Sequence, residues 1–290
     1  MENGITTRQN EDMSISFLAA QRQLYNEAKR YSAIGFIFSV LLPLVLAVLQ
    51  LRWKDVAYLN AMSYVLPIVS MFVALTLNKT VSQKKEKAAD IQQQFDIHVF
   101  QMPWDDKLFG SKKSITSEVA KKSLILLKQN GERERLLDWY TDAAGRTEIE
   151  NGIWMCQKEN YCWDVSLRNR FKYWSFVLVG FLVFVIFLLG IVNDESVVML
   201  LWRFAFVVPM MQWLVETIKQ LNSDIENLKE LNGLINISGK KAMDELQYIQ
   251  SKLYAHRKSC YVIPNVFYRI YKNNDEKVAH HTAMLDVKEK

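Results

Sequence analysis

The chain has 290 residues, half of them hydrophobic and 12% aromatic, with a net charge of +5. Its mean hydropathy is nonetheless close to zero, so very apolar stretches alternate with strongly charged ones, as in a multi-span membrane protein with a sizeable water-soluble part. The charge is too modest and dispersed for duplex nucleic acid and suits anionic lipid or a small anionic ligand.

In chain order, the polar and partly acidic start, Met1 to Asp12, has no signal-peptide pattern. Ile15 to Tyr31 has helix-forming composition, with Phe17, Leu18, Leu24, Tyr25 and Ala28 at roughly helical spacing. It runs into a first span at Ser32 to Leu51, and the link Arg52 to Asp55 leads to a second at Val56 to Leu77. Pro43 and Pro67 lie inside these spans, where neighbouring helices must satisfy the carbonyls they free. Thr80 to Phe100 is charged and then amphipathic, and Pro103 enforces a turn after it. Thr116 to Gln129 reads as a basic amphipathic helix and Glu132 to Asp142 as a short one, with Gly131 and Gly145 as stops.

Thr147 with Glu150 fits a capping box, and no proline interrupts the chain from there to Val192. The spacing predicts one helix that begins polar and aromatic and ends in the uncharged Tyr173 to Val192, about the twenty residues that a bilayer core requires. Asn193 to Glu195 links it to a fourth span, Ser196 to Val215. Leu214, Ile218, Leu221, Ile225 and Leu228 then form a bundle seam, followed by a break at Asn236 to Gly239 and a helix over Lys240 to Arg257. Basic residues flank one side of all four spans, which predicts both termini and the central segment in the cytoplasm. The expected fold is an all-α integral membrane protein with four transmembrane helices and a helical cytosolic domain. Its parts are an N-terminal helix (1–31), a hairpin (32–77), a cytosolic helical segment (78–172), a second hairpin (173–215), C-terminal helices (216–272) and a disordered tail (273–290).

There is no P-loop, GxSxG, HExxH or zinc-type spacing, and Cys156, Cys162 and Cys260 form no redox pair. No catalytic residue, metal or cofactor is therefore expected, and His98 reads as a packed histidine. Gln157, Asn160, Asp164 and Arg168 share a helix face, with Trp163 adjoining it. That stripe reads either as a sensing surface leading into the membrane or as a solvated face with an Asp164–Arg168 pair. Arg257, Tyr268 and Arg269 add charge and a ring; cations beside aromatics suit the phosphates and bases of a nucleotide, whereas juxtamembrane cations also suit lipid phosphate. Arg203 lies inside the fourth span, where an intramembrane charge either faces a pore or subunit interface or snorkels outward.

The chain resembles the four-transmembrane effectors of CBASS, the bacterial antiphage systems driven by cyclic-oligonucleotide signals. The resemblance is carried by Leu18 to Lys29 (LAAQRQLYNEAK), Phe95-Asp96, Val99 to Trp104 (VFQMPW) and Asp138 to Tyr140. It continues through Cys156-Gln157-Lys158, Asn160, Trp163-Asp164, Leu167-Arg168, Arg257 and Ile263 to Arg269 (IPNVFYR), while Asn265-Val266 departs from an acidic–aromatic pair of the family. It implies a multi-pass inner-membrane protein that senses a cyclic oligonucleotide in the cytosol, oligomerises and permeabilises the membrane, ending growth of the infected cell. The implied partners are that second messenger, a CD-NTase-type nucleotidyltransferase that makes it, membrane lipid and further copies of the chain. A membrane scaffold and an integral-membrane enzyme without nucleotide gating are the competing readings.

Overall fold

The computed structural model describes every residue except 1, 54–55, 163, 237–241, 269 and 272–290, and the side chains of 51, 52, 63, 161 and 162 are also outside the description. The expected break at Asn236 to Gly239 falls mainly in the undescribed part, as does the whole tail. The described elements are helical: α1 (Ile5–Arg8), α2 (Asp12–Phe36), α3 (Leu42–Arg52), α4 (Ala57–Phe100), α5 (Asp106–Phe109), α6 (Thr116–Leu127), α7 (Asp142–Gly145), α8 (Ile149–Cys162), α9 (Asp164–Val192), α10 (Val197–Trp202), α11 (Phe204–Ile235) and α12 (Met243–Ser259). Four stretches are long and apolar enough to cross a membrane: Asp12–Gln50, Ala57–Phe100, Ile149–Val192 and Val197–Ile235.

These stretches form two long antiparallel hairpins. In the first, Glu11 meets His98, Glu27 meets Lys84, and Ser70 meets Phe38, so the start of α2 lies beside the end of α4. In the second, Trp154 reaches the carbonyl of Ile235, Arg168 reaches Asp224, and Lys172 reaches Asn222. α12 joins the two outside the membrane-spanning part. It runs antiparallel to α4, with Gln250 on Asp96, Tyr254 on Asp90, and Lys85 at the Ser259 and Cys260 carbonyls. Its other side receives Gln157 of α8.

Two apolar cores match this division. The extramembrane core packs Ile15, Leu18, Phe95, Phe100, Tyr140, Ile153 and Leu246, and each such side chain withdrawn from water contributes about 1.5–3 kcal/mol. The other core packs Val40, Leu46, Leu66, Val179, Ile186, Phe206 and Met210; between spans, close packing and polar contacts replace the hydrophobic effect. Pro43 illustrates the second regime. Having no N–H to return to the preceding turn, it follows a π-helical segment, Ile37–Leu41, that connects α2 to α3. The Phe38 carbonyl there is taken by the Ser70 hydroxyl at 3.0 Å, as lipid surroundings demand of a backbone acceptor.

Two local expectations fail. Glu132 to Asp142 is not one helix: a single 3-10 turn, Glu134–Leu136, is followed by irregular chain with Asp138 in the left-handed region at φ 51°. Its amides are claimed from outside, since Asp138 N–H donates to Asn10 Oδ1 at 2.9 Å and Tyr140 N–H to Gln9 Oε1 at 2.7 Å. The partners come from the turn after α1, inside the 1–31 stretch expected to be helical. The helix expected to begin at Thr147 begins at Ile149.

Candidate functional site

The polar stripe of α8 and α9 faces inward. Gln157 is fully buried and Arg168 is 4% exposed, which excludes the solvated-face reading although the Asp164–Arg168 pair exists, at 3.0 Å. The stripe forms two hydrogen-bonded groups that meet at His256 and Arg257, adjacent residues of α12.

The first group centres on Asp96 of α4. Its carboxylate accepts from Arg257 Nη1 at 2.5 Å, Gln250 Nε2 at 2.8 Å and Tyr140 Oη at 2.7 Å. Asn160 Nδ2 donates to the Tyr140 hydroxyl at 3.2 Å, and Gln157 Nε2 donates to Gln250 Oε1 at 3.1 Å and to the Leu246 carbonyl at 2.9 Å. Burial works against the Arg257 guanidinium, but Asp96 outweighs it and raises the pKa above the ordinary arginine value.

The second group centres on Arg168. Nε donates to Asp164, while Nη1 donates to Asp224 of α11 at 2.5 Å and to the Tyr261 carbonyl at 3.2 Å. Asp224 also accepts the Tyr261 N–H at 2.7 Å, and His256 Nε2 lies 3.1 Å from Asp164. Burial disfavours the Asp164 carboxylate, yet Arg168 and His256 outweigh it and hold the pKa below the ordinary value. Three chain segments are thus tied to one guanidinium.

Across both groups, Gln93 Nε2, Gln157 Oε1, His256 Nδ1 and Arg257 Nη2 are buried without a hydrogen-bond partner among the described residues. Unpaired buried polar atoms cost about 1–3 kcal/mol each, and such atoms are where water or a polar ligand enters a protein interior.

Tyr268 lies elsewhere, packed with Leu167, Phe171, Leu221 and Ile263 and within 5.8 Å of Lys29. Trp163 and Arg269 lie outside the described residues. His98 sits 2.8 Å from Glu11 at the edge of the extramembrane part. It also borders an open cleft of about 430 Å³ with Gln94, Gln101, Met102 and Lys112, which none of the sequence-derived site residues lines.

Arg203 is neither exposed nor extended toward a surface. It separates α10 from α11, and Nε and Nη2 grip the Glu195 carboxylate at 2.6 and 2.5 Å while Nη1 donates to the Ala47 carbonyl of α3 at 3.2 Å. Gly190 makes room, since a Cβ there would stand 3.0 Å from Glu195 Oε2 and 3.2 Å from Arg203 Nε. Within one chain, the charge staples the second hairpin to the first.

The sequence pattern missed Asp96, Asp224, Gln250, His256 and Glu195. Local signals existed only for Asp96, in the Phe95-Asp96 motif, and for Glu195, an acidic residue in a link without basic ones.

No solved structure matches this chain. A probable CBASS effector molecule of Bacillus cereus (strain VD146) is 24% identical over 283 residues, or 93% of this chain and 94% of the relative. The SMODS-associating 4TM effector domain matches residues 3–284, which takes in the four spans and both polar groups, and the chain belongs to this family of membrane-spanning antiphage effectors.

Proposed function

We propose that the chain is a non-enzymatic effector that senses a cyclic oligonucleotide on the cytosolic side of the bacterial inner membrane, oligomerises and permeabilises that membrane, so that the infected cell stops growing. A CD-NTase-type nucleotidyltransferase supplies the ligand. The carrying observation is that Arg168 binds Asp224 and the Tyr261 carbonyl at once, and that the helices of Arg168 and Asp224 continue into spans 3 and 4. A phosphate that competes with Asp224 for this guanidinium loosens the two hairpin arms at the cytosolic end of the membrane. Phosphate is suited to the exchange because it accepts the same charge-assisted bonds as a carboxylate.

Gln157, Asn160, Asp164, Arg168 and Arg257 form the buried part of this sensor, and Trp163, Tyr268 and Arg269 are proposed as further ligand contacts. The four unpartnered polar atoms support the assignment, because a base edge supplies both donors and acceptors. Once the chains assemble, Arg203 exchanges its bond to Glu195 for one at a pore or subunit boundary.

Dye release from liposomes carrying the purified protein tests the whole reading. A cyclic di- or trinucleotide should trigger release while linear nucleotides do not; a scaffold or an enzyme without nucleotide gating gives no ligand-dependent release. Arg269→Ala should weaken binding by about 1.5–3 kcal/mol, as expected for a lost charge-assisted contact. Unchanged affinity in that variant removes Arg269 from the site.

A further inference from the structure

The second half of α2 presents two polar groups short of partners. Tyr25 and Lys29 are one turn apart and share a face, which meets the chain after α12. There Lys29 Nζ donates to Asn265 Oδ1 at 2.5 Å and lies 5.8 Å from the centre of the Tyr268 ring. Asn265 also makes a stretched contact of 3.4 Å with Asn26. All these partners are neutral. The nearby carboxylate of α2, Glu27, is already held by Lys84 at 2.5 Å and Lys122 at 2.6 Å.

Behind this face buried Lys85 donates to the Ser259 and Cys260 carbonyls, which are neutral too, and the Tyr25 phenol has no hydrogen-bond partner among the described residues. Tyr25 and Lys29 both stay partly accessible and are not sealed in a core. Burial, with Arg22 adding to it, lowers the Lys29 ammonium to about 8, and no carboxylate pairs with it among the described residues.

We propose that this junction of α2 with residues 260–268 binds a phosphate group, with Lys29 as the charged donor and the Tyr25 hydroxyl and Asn265 amide as neutral ones. A phosphate oxygen supplies the negative charge that Lys29 lacks and accepts from all three donor types. The phosphodiester of a soluble cyclic oligonucleotide and the headgroup of a phospholipid share this chemistry, the second because α2 runs on into the first span. The site adjoins the proposed sensor at Tyr268 and stands whether or not that reading holds.

The test follows thermal unfolding of the full chain in maltoside micelles free of phosphate. Three probes are added separately: inorganic phosphate against chloride of equal ionic strength, a panel of cyclic di- and trinucleotides, and phosphatidylglycerol against a neutral monoglyceride. At least one phosphate probe should raise the unfolding midpoint, and Lys29→Met should raise its half-saturating concentration about ten- to a hundredfold. Asn265→Asp sets a carboxylate against Lys29 while keeping the fold, and should abolish the response. A response to soluble probes alone assigns the site to free ligand, and one to phosphatidylglycerol alone assigns it to lipid. If no probe shifts the wild-type midpoint, or if Asn265→Asp responds as strongly as the wild type, the site does not exist.

Discussion

Arg168 of α9 and Asp224 of α11 meet at 2.5 Å with both side chains almost completely buried. Their helices are the two arms of the second hairpin, so this ion pair closes the hairpin at the level where it leaves the apolar part. A buried pair adds little net stability compared with apolar packing, but removing one partner strands the other. The pair therefore acts as a latch, firm while intact and costly to break halfway.

The first prediction tests the latch. Arg168→Met leaves Asp224 and Asp164 buried without their guanidinium and should destabilise the protein by about 3–5 kcal/mol. Adding Asp224→Leu should recover part of that loss. Thermal unfolding in detergent measures both, and a single variant as stable as the wild type rules out a latch.

Arg203 gives a second prediction. Because Glu195 is its bidentate partner, Arg203→Leu should permit insertion but alter assembly or conductance, and it should destabilise the hairpin. Arg203→Leu with Glu195→Leu should restore stability without restoring conductance. Full recovery of both by the double variant reduces Arg203 to a staple, while an unaffected single variant removes both roles.

A third prediction concerns acid stability. Burial raises the Glu27 carboxyl, but hydrogen bonds from Lys122, Lys84 and Gln23 outweigh it and bring the pKa from 4.5 to about 2. In that window the folded carboxyl binds fewer protons than the unfolded one, so folding is favoured as pH rises. Its stabilisation is complete above 4.5 and lost as pH falls toward about 2. Glu27→Gln should flatten the acid limb of the unfolding midpoint between those values; an unchanged slope places the acid sensitivity elsewhere.

The fourth prediction concerns orientation. A reporter active only in the periplasm should give signal when inserted in the link Asn193 to Glu195, and none when fused after Lys272. Signal from the C-terminal fusion reverses the topology and moves the proposed sensor out of the cytosol.

Composition and a 3.6-residue period within a short window are enough to encode the four spans, the long helices and the face shared by Gln157, Asn160, Asp164 and Arg168. The same local signal picks out Arg203 as a charge in an apolar stretch. Where those groups point depends on the packing of distant segments. Asp96 and Arg257 are 161 positions apart, Arg168 and Asp224 are 56 apart, and no local spacing encodes such partners. The fate of Glu132 to Asp142 was decided in the same way, since Gln9 and Asn10 take its amides from 131 and 128 positions away. Local preference proposes a helix wherever apolar spacing allows one; a buried donor or acceptor goes to whichever partner the packed chain brings within 3 Å or so.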